Sequence, residues 1–309
     1  MKSKRNKTID LTVEQGAGYL ARCAAPGGEY LDKTILGDTF AALPLLPEAC
    51  AALVIADPPY NMHKDFGGTA FRGMSDGAYL DYTRRWLSLV RPRMTDTASI
   101  YVCCDWRCSG VVGAALSELF TVRSRITWQR EKGRGAAKNW KNAMEDIWFA
   151  TVSGDYTFHL DAVKVRRRVL APYRAEGEPK DWTESPDGLR YRDTCPGNFW
   201  DDLTVPYWSM AENTAHPTQK PEKLLAKLIL ASSDPGDTVL DPFLGSGSTS
   251  VTAKKLGRRW IGIEQNPRYC VWAERRLELA ETDRRIQGFE DGVFRERNFP
   301  GASATSFRD

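Results

Sequence analysis

Histidine is scarce, cysteines are scattered, and no long apolar run occurs, so several kinds of chemistry lack their parts. The three histidines, His63, His159 and His216, stand far apart. The seven cysteines (Cys23, Cys50, Cys103, Cys104, Cys108, Cys195 and Cys270) lack the paired spacing of a zinc site, so no metal is expected. An odd, irregular set also makes a poor disulfide framework; these thiols are expected to pack as small apolar side chains in a reducing compartment. No stretch approaches the ~20 apolar residues of a bilayer-spanning helix. The basic opening, Met1 to Lys7, leads into no apolar signal core, so the expectation is a cytoplasmic protein with no membrane partner.

Charge of one sign is also missing overall, with 43 Lys and Arg against 40 Asp and Glu. Its distribution is uneven. Residues 121–180 hold 13 basic and 7 acidic side chains, which suits a surface facing a polyanion and equally suits a solvated face. A chain of 309 residues with 42% hydrophobic content can bury a substantial core unaided.

Short apolar runs alternate with helical spacing. Strands are expected at 51–56, 99–104, 122–128, 145–151, 238–241 and 260–264. Helices are expected at 77–90, 109–120, 222–232, 248–256 and 267–281. That alternation predicts an α/β fold, a doubly wound and mostly parallel sheet with ligands at the strand C-terminal ends. Residues 133–142 read as a mobile loop. Residues 156–213, rich in Pro, Arg, Trp and Tyr without a clear period, read as an irregular insertion. Five divisions follow: an N-terminal tail (1–30, basic at its start), a first half (31–155), the insertion (156–213), a second half of the same domain (214–281) and a C-terminal tail (282–309).

Residues 238–264 form a strand–turn–helix–strand unit with Gly245-Ser246-Gly247 at its first turn. Glycines there let backbone amides and a helix N-terminus approach a ligand. Glu264 ends the next strand, where a carboxylate can accept both hydrogen bonds of a ribose diol. Ser250 stands where a dinucleotide fold wants a third small residue, and the loop opens with Asp241 and Phe243. An acid at that strand end suits a cationic amino group better than a pyrophosphate, which favours S-adenosylmethionine over a nicotinamide dinucleotide.

Asp57-Pro58-Pro59-Tyr60 follows the apolar strand 51–56. Two prolines fix the backbone and remove N–H donors, leaving acceptors: the Asp57 carboxylate and the Pro58 carbonyl. Such a pair can hold both hydrogens of an exocyclic amino group and localise the nitrogen lone pair. Tyr60 offers a ring for stacking a base.

Asp-Pro-Pro-Tyr, followed by the basic insertion, His216-Pro-Thr-Gln-Lys-Pro221 and then Asp241-Pro-Phe-Leu-Gly-Ser-Gly-Ser-Thr249, resembles the beta class of N6-adenine and N4-cytosine DNA methyltransferases. In that class the motif order is circularly permuted relative to other S-adenosylmethionine-dependent methyltransferases. The resemblance spans roughly 31–280 and implies site-specific transfer of methyl to a flipped base in duplex DNA. It implies that Asp57, Pro58 and Tyr60, with Pro59 completing the turn, hold the base. Asp241, Phe243, Gly245 and Gly247, with Ser246 and Ser248 in the same turn, would line the methionine end of the cofactor. Glu264 would meet the ribose, and Lys220 with Thr218 the carboxylate. Gly37-Asp38 is similar to an element whose acid meets the cofactor adenine, and equally fits a plain helix cap. Asp at position 57 leans toward adenine, with N4-cytosine as the alternative. The class also brings duplex DNA, a homodimer and a cognate restriction endonuclease into view as partners.

Within the basic stretch, Arg166, Arg167 and Arg168 are candidate phosphate contacts. Arg134, Lys138 and Lys141 sit in a loop suited to clamping DNA. Trp182, Trp200 and Trp208 read as the insertion's own core, and His63 as a pocket-rim residue. Cytosine-C5 chemistry needs a cysteine after a proline, whereas Cys195-Pro196 has the reverse order; the pattern of zinc deaminases is absent. Two readings of other classes are a nicotinamide-dependent oxidoreductase and a non-catalytic DNA-binding regulator.

Overall fold

The computed structural model describes residues 5–65, 70–130, 137–170, 173–186 and 188–297. Its centre is an eight-stranded sheet. In chain order the strands are β1 (Lys33–Leu36), β2 (Ala51–Ala56), β3 (Met94–Cys104), β4 (Thr121–Gln129), β5 (Met144–Thr151), β6 (Phe199–Trp200), β7 (Thr238–Asp241) and β8 (Arg259–Glu264). Across the sheet they run β1-β8-β7-β2-β3-β5-β4-β6, all parallel save β5, which is antiparallel to both neighbours. The strand with the glycine turn, β7, comes late in the chain yet pairs directly with β2, which carries Asp-Pro-Pro-Tyr. The two turns leave neighbouring strands in the same direction, and that adjacency builds the site.

Five longer helices cover the sheet: α1 (Asp76–Val90), α2 (Ser109–Leu119), α3 (Glu222–Ala231), α4 (Ser248–Lys255) and α5 (Pro267–Thr282). Strand alternation divides the core. Val54, Ala56, Ile100 and Val102 face one side with Trp86 and Leu87 of α1 and Leu116 of α2. Leu53, Ile55, Tyr101 and Cys103 face the other, with Leu224, Leu225 and Leu228 of α3. Ser75 caps α1 by accepting from the Ala78 amide at 3.3 Å, and Asn266 caps α5 with Pro267 in its first turn. Cys103, Cys104, Cys108 and Cys270 are buried free thiols, as the scattered spacing suggests.

Three expectations need correction. Residues 5–30 are not a free tail. Ile9 bridges Thr214, Ala24 bridges Ile35, and Tyr19 and Leu20 pack on Tyr269 and Trp272 of α5. The apolar positions hidden among polar neighbours in this stretch find their partner only in the folded molecule. Residues beyond 282 likewise continue in structure, with strands Phe289–Glu290 and Val293–Arg295. These join Val165–Arg168, Arg190–Thr194 and Thr183–Glu184 in a five-stranded sheet, so segment 156–213 is ordered around strands rather than irregular throughout. Trp182 and Trp200 are buried as expected, whereas Trp208 is 50% exposed. Of the loop 133–142, residues 133–136 lie outside the described residues.

Candidate active site

A cavity of about 280 Å³ opens where β2 and β7 end. Asp57, Pro58, Pro59 and Tyr60 line one side. Asp241, Phe243, Gly245, Ser246, Ser248 and Glu264 line another, and Thr218 and Lys220 enter from the run before α3. Asp38 reaches the same space while capping the short helix Thr39–Ala42, accepting from the amides of Phe40 and Ala41 at 3.0 and 3.2 Å. Both readings of that residue therefore coexist in the geometry. Gly247 is not in the wall. Its φ is +84°, and a Cβ there would lie 2.6 Å from the Ala273 Cβ, so the residue serves the close packing of α4 on α5. His63 is exposed and outside the lining.

The acceptor turn is held from several directions. Tyr79 donates its hydroxyl to the Pro59 carbonyl at 2.9 Å. Tyr60 places its hydroxyl 3.0 Å from Asp57 Oδ1 and 3.2 Å from Glu145 Oε2. Lys220 Nζ lies 2.6 Å from Asp57 Oδ2, 3.0 Å from the Tyr60 hydroxyl and 3.4 Å from Glu145 Oε2. Burial works against the Lys220 charge, but Asp57 and Glu145 outweigh it and the ammonium is held above its ordinary pKa. Burial, reinforced by the same two carboxylates, pushes the Tyr60 phenol well up, so it stays a neutral donor. Sequence reasoning sent Lys220 toward a cofactor carboxylate; in this structure it is bound within the base-side cluster.

The glycine turn is equally constrained. Glu264 accepts from the Gly245 amide at 2.8 Å through one oxygen and from the Asn266 amide at 2.7 Å through the other. Asp241 accepts from the Phe243 amide at 2.9 Å. Burial pushes both carboxyls up to about 7. Gly245 has φ +56°, and a Cβ on it would come within 3.1 Å of His216 Nε2. Burial pushes the His216 imidazole down to about 4, so it is neutral at physiological pH. From α5, the buried Arg276 donates to the Ser246 carbonyl at 2.8 Å and to Ser248 Oγ at 2.9 Å, and pairs with Glu222 at 2.9 Å.

Glu145, Tyr79 and Arg276 were not found in the sequence. Glu145-Asp146 at the head of an otherwise apolar strand was a signal, because a carboxylate entering a buried strand needs donors waiting for it. Arg276 carries no such mark within an amphipathic helix.

The basic candidates are dispersed. Arg166 makes a two-point pair with Asp193 at 2.7 Å and lies over the Tyr191 ring, and Arg167 pairs with Asp201 at 2.8 Å. The expected cluster of phosphate contacts is thus committed to acids on neighbouring segments, with the Arg168 side chain exposed. Lys138 and Lys141 are exposed, and Arg134 lies outside the described residues. Among the described residues, no group of three or more His, Cys, Asp or Glu is placed to hold a metal ion. No described helix is long and apolar enough to cross a membrane.

Comparison with known proteins agrees with this geometry. A family profile described as DNA methylase matches residues 51–275. The chain is 36% identical over 256 residues to DNA adenine methyltransferase YhdJ of Escherichia coli (strain K12), covering 80% of this chain and 83% of that protein. It is 32% identical over 249 residues to type II methyltransferase M.HpaI of Haemophilus parainfluenzae, covering 80% and 74%. Among solved structures, the cytosine-N4-specific PvuII DNA methyltransferase superposes with a TM-score of 0.59 at 19% identity, over 79% of this chain and 85% of that one. A DNA modification methylase from Thermus thermophilus, complexed with S-adenosyl-L-methionine, gives 0.54 at 19% identity, over 85% and 97%. The extended match to the profile, together with relatives above 30% identity across most of their length, shows that this chain belongs to the N6/N4 DNA methylase family.

Proposed function

We propose that this chain transfers a methyl group from S-adenosylmethionine to the N6 amino group of adenine in duplex DNA. One observation carries the reading: the acceptor turn Asp57–Tyr60 and the glycine turn that follows Asp241 open into one cavity from adjacent strands. The adenine preference is supported by the 36% identical relative, itself called a DNA adenine methyltransferase.

The glycine side of the cavity fits an adenosyl amino acid. Buried carboxyls at Asp241 and Glu264 suit an ammonium group and a ribose diol, the close approach at Gly245 leaves backbone exposed, and Phe243 offers an aromatic wall. Asp38 would face the adenine, with Thr218 and Lys220 toward the carboxylate and Ser246 and Ser248 lining the turn. When bound, S-adenosylmethionine supplies a methyl group on a positively charged sulfur.

This chain's own residues do the rest. A base stacked in a duplex cannot enter the cavity, so it is flipped out at a cost of a few kcal/mol. The Asp57 carboxylate and the Pro58 carbonyl accept the two amino hydrogens, pulling the nitrogen lone pair out of the ring and aiming it. Tyr60 and Lys220 already donate to Asp57, yet each carboxylate oxygen keeps a second lone pair for a base hydrogen. Those hydrogen bonds strengthen as the nitrogen becomes tetrahedral, which is where the rate enhancement arises. The extra proton on the methylated amine leaves to water. Exposed Arg168, Lys138 and Lys141, together with Arg134, are the proposed phosphate contacts, and segment 156–213 the proposed recognition element.

The test is nucleoside mass spectrometry on unmethylated genomic DNA incubated with the purified protein and S-adenosylmethionine, beside an Asp57→Ala control. N6-methyladenine with the wild type alone is expected. N4-methylcytosine instead would overturn the choice of base, and no methylated base would overturn the reading.

A further inference from the structure

Strand β5 is the reversed strand of the sheet, and its second residue, Glu145, is directed at the acceptor turn. The side chain is only 4% exposed. Its Oε1 pairs with Arg130, and its Oε2 lies 3.2 Å from the Tyr60 hydroxyl and 3.4 Å from Lys220 Nζ. Asp146 points the other way, to Ser109 Oγ at 2.7 Å and Thr127 Oγ1 at 2.9 Å, as strand alternation requires. A buried carboxylate is costly unless donors surround it, and packing alone would be served by an apolar residue of similar size. The donors here come from two places, the base-side cluster and the stem of the 130–143 hairpin. Arg130 closes that hairpin through its own amide, which donates to the Ala143 carbonyl at 2.7 Å.

We propose that Glu145 is a positioning residue for methyl transfer: by accepting from the Tyr60 hydroxyl it fixes the ring plane on which the target base stacks. This rests on the reading of Tyr60 as the base platform. The ring is tethered at its backbone by the double-proline turn and at its far end by Asp57, Glu145 and Lys220. Asp57 must also receive the amino group, and Lys220 is shared among three acceptors. Glu145 is the hydroxyl's partner with no duty toward the base itself. Its second oxygen, held by Arg130, ties the ring's orientation to the stem of a hairpin carrying Lys138 and Lys141.

The experiment measures initial rates with radiolabelled S-adenosylmethionine and unmethylated bacterial genomic DNA for wild type, Glu145→Ala, Glu145→Gln, Tyr60→Phe and the Glu145→Ala/Tyr60→Phe pair. Calorimetric binding of S-adenosylmethionine reports whether the cavity is intact. Glu145→Ala is expected to lower kcat by about 10- to 100-fold, the scale of a small misplacement of a reacting group, with cofactor Kd changed by less than about threefold. Glu145→Gln keeps an oxygen facing the hydroxyl and is expected to recover most of that loss. In the Tyr60→Phe background, Glu145→Ala is expected to add less than about a further twofold, because the bond it removes is already gone. An unchanged kcat in Glu145→Ala, a Gln variant as slow as Ala, or an undiminished loss in the Tyr60→Phe background would each overturn the assignment. So would loss of cofactor binding in Glu145→Ala, which would make the role structural. A wild type that transfers no methyl to DNA would instead defeat the proposed function itself.

Discussion

Lys220 Nζ lies 2.6 Å from Asp57 Oδ2, an ion pair between residues 163 positions apart in the chain. It joins the run before α3 to the acceptor turn after β2. Replacing Lys220 with Met leaves Asp57 and Glu145 facing each other without their shared cation. The variant is expected to lose about 2–4 kcal/mol in urea unfolding, below the full figure for a buried pair because the Asp57 side chain is 22% exposed. Wild-type stability in that variant would mean the pair contributes nothing to the fold.

Asp57→Ala removes the carboxylate proposed to accept an amino hydrogen while leaving the glycine turn untouched. Methyl transfer should fall by at least about 100-fold, the scale of losing one acceptor aimed at a developing charge. Calorimetric binding of S-adenosylmethionine should persist. Turnover near the wild-type rate would remove Asp57 from the chemistry.

Burial pushes Asp241 and Glu264 each up to about 7, against 3.8 and 4.5 for the free groups. Between roughly pH 4 and pH 7 the folded state therefore holds protons that the unfolded chain has released, so these two groups make stability fall as pH rises through that window. Ligand binding runs the other way. A ribose diol donates to the ionised Glu264, so S-adenosylmethionine affinity should rise by about fivefold between pH 6 and pH 7 if one deprotonation is required, then level off. Glu264→Gln should abolish that rise, and a flat profile in the wild type would take Glu264 out of the ribose site.

Arg166 and Arg167 are neutralised by Asp193 and Asp201, whereas the Arg168 side chain is exposed. In plots of log affinity for DNA against log salt, Arg168→Ala should reduce the slope by about one. Arg166→Ala should leave the slope alone and weaken the five-stranded sheet instead. The opposite pattern would return Arg166 to the phosphate contacts.

Asp202 sits between two buried ammonium groups, 2.6 Å from Lys227 Nζ and 2.9 Å from Lys223 Nζ. Asp202→Ala should cost about 3–5 kcal/mol near pH 7, because two cations lose their counter-ion. Burial already pushes Lys227 down to about 8, against 10.5 when free. Above pH 8 the folded state holds fewer protons than the unfolded one, so this group's contribution to stability rises with pH toward 10. The penalty in the variant should shrink over the same range; a penalty that grows with pH would contradict this account.

Much of the frame was legible because its signals are local. The run 51–56 stopped by two prolines, the glycine turn after 238–241 and the capped helix from Pro267 each announce themselves within a dozen residues. Strand β1, Lys33–Leu36, was missed because four residues give no period to read. The five-stranded sheet was missed because Val165–Arg168 pairs in parallel with Val293–Arg295, a partner no local pattern can name. At the site, Asp57, Tyr60, Asp241 and Glu264 were visible at turns where polar groups have no structural excuse. Glu145 and Arg276 were not, since their meaning lies in what they touch across the fold. The arginine run misled for the same reason: charge in sequence does not reveal an acid waiting on the adjacent strand.

The pairing of Val165–Arg168 with Val293–Arg295 has a consequence in time. During synthesis, residues 165–194 leave the ribosome about a hundred positions before the strand that completes their sheet. The large sheet can gather β2 to β5, and later β7 and β8, while that smaller sheet still lacks its neighbour, and Lys223 waits for the Arg295 carbonyl it finally holds. Domains generally fold as their parts emerge. Here the catalytic layers can be in place first, and the segment proposed to choose the DNA sequence is completed last.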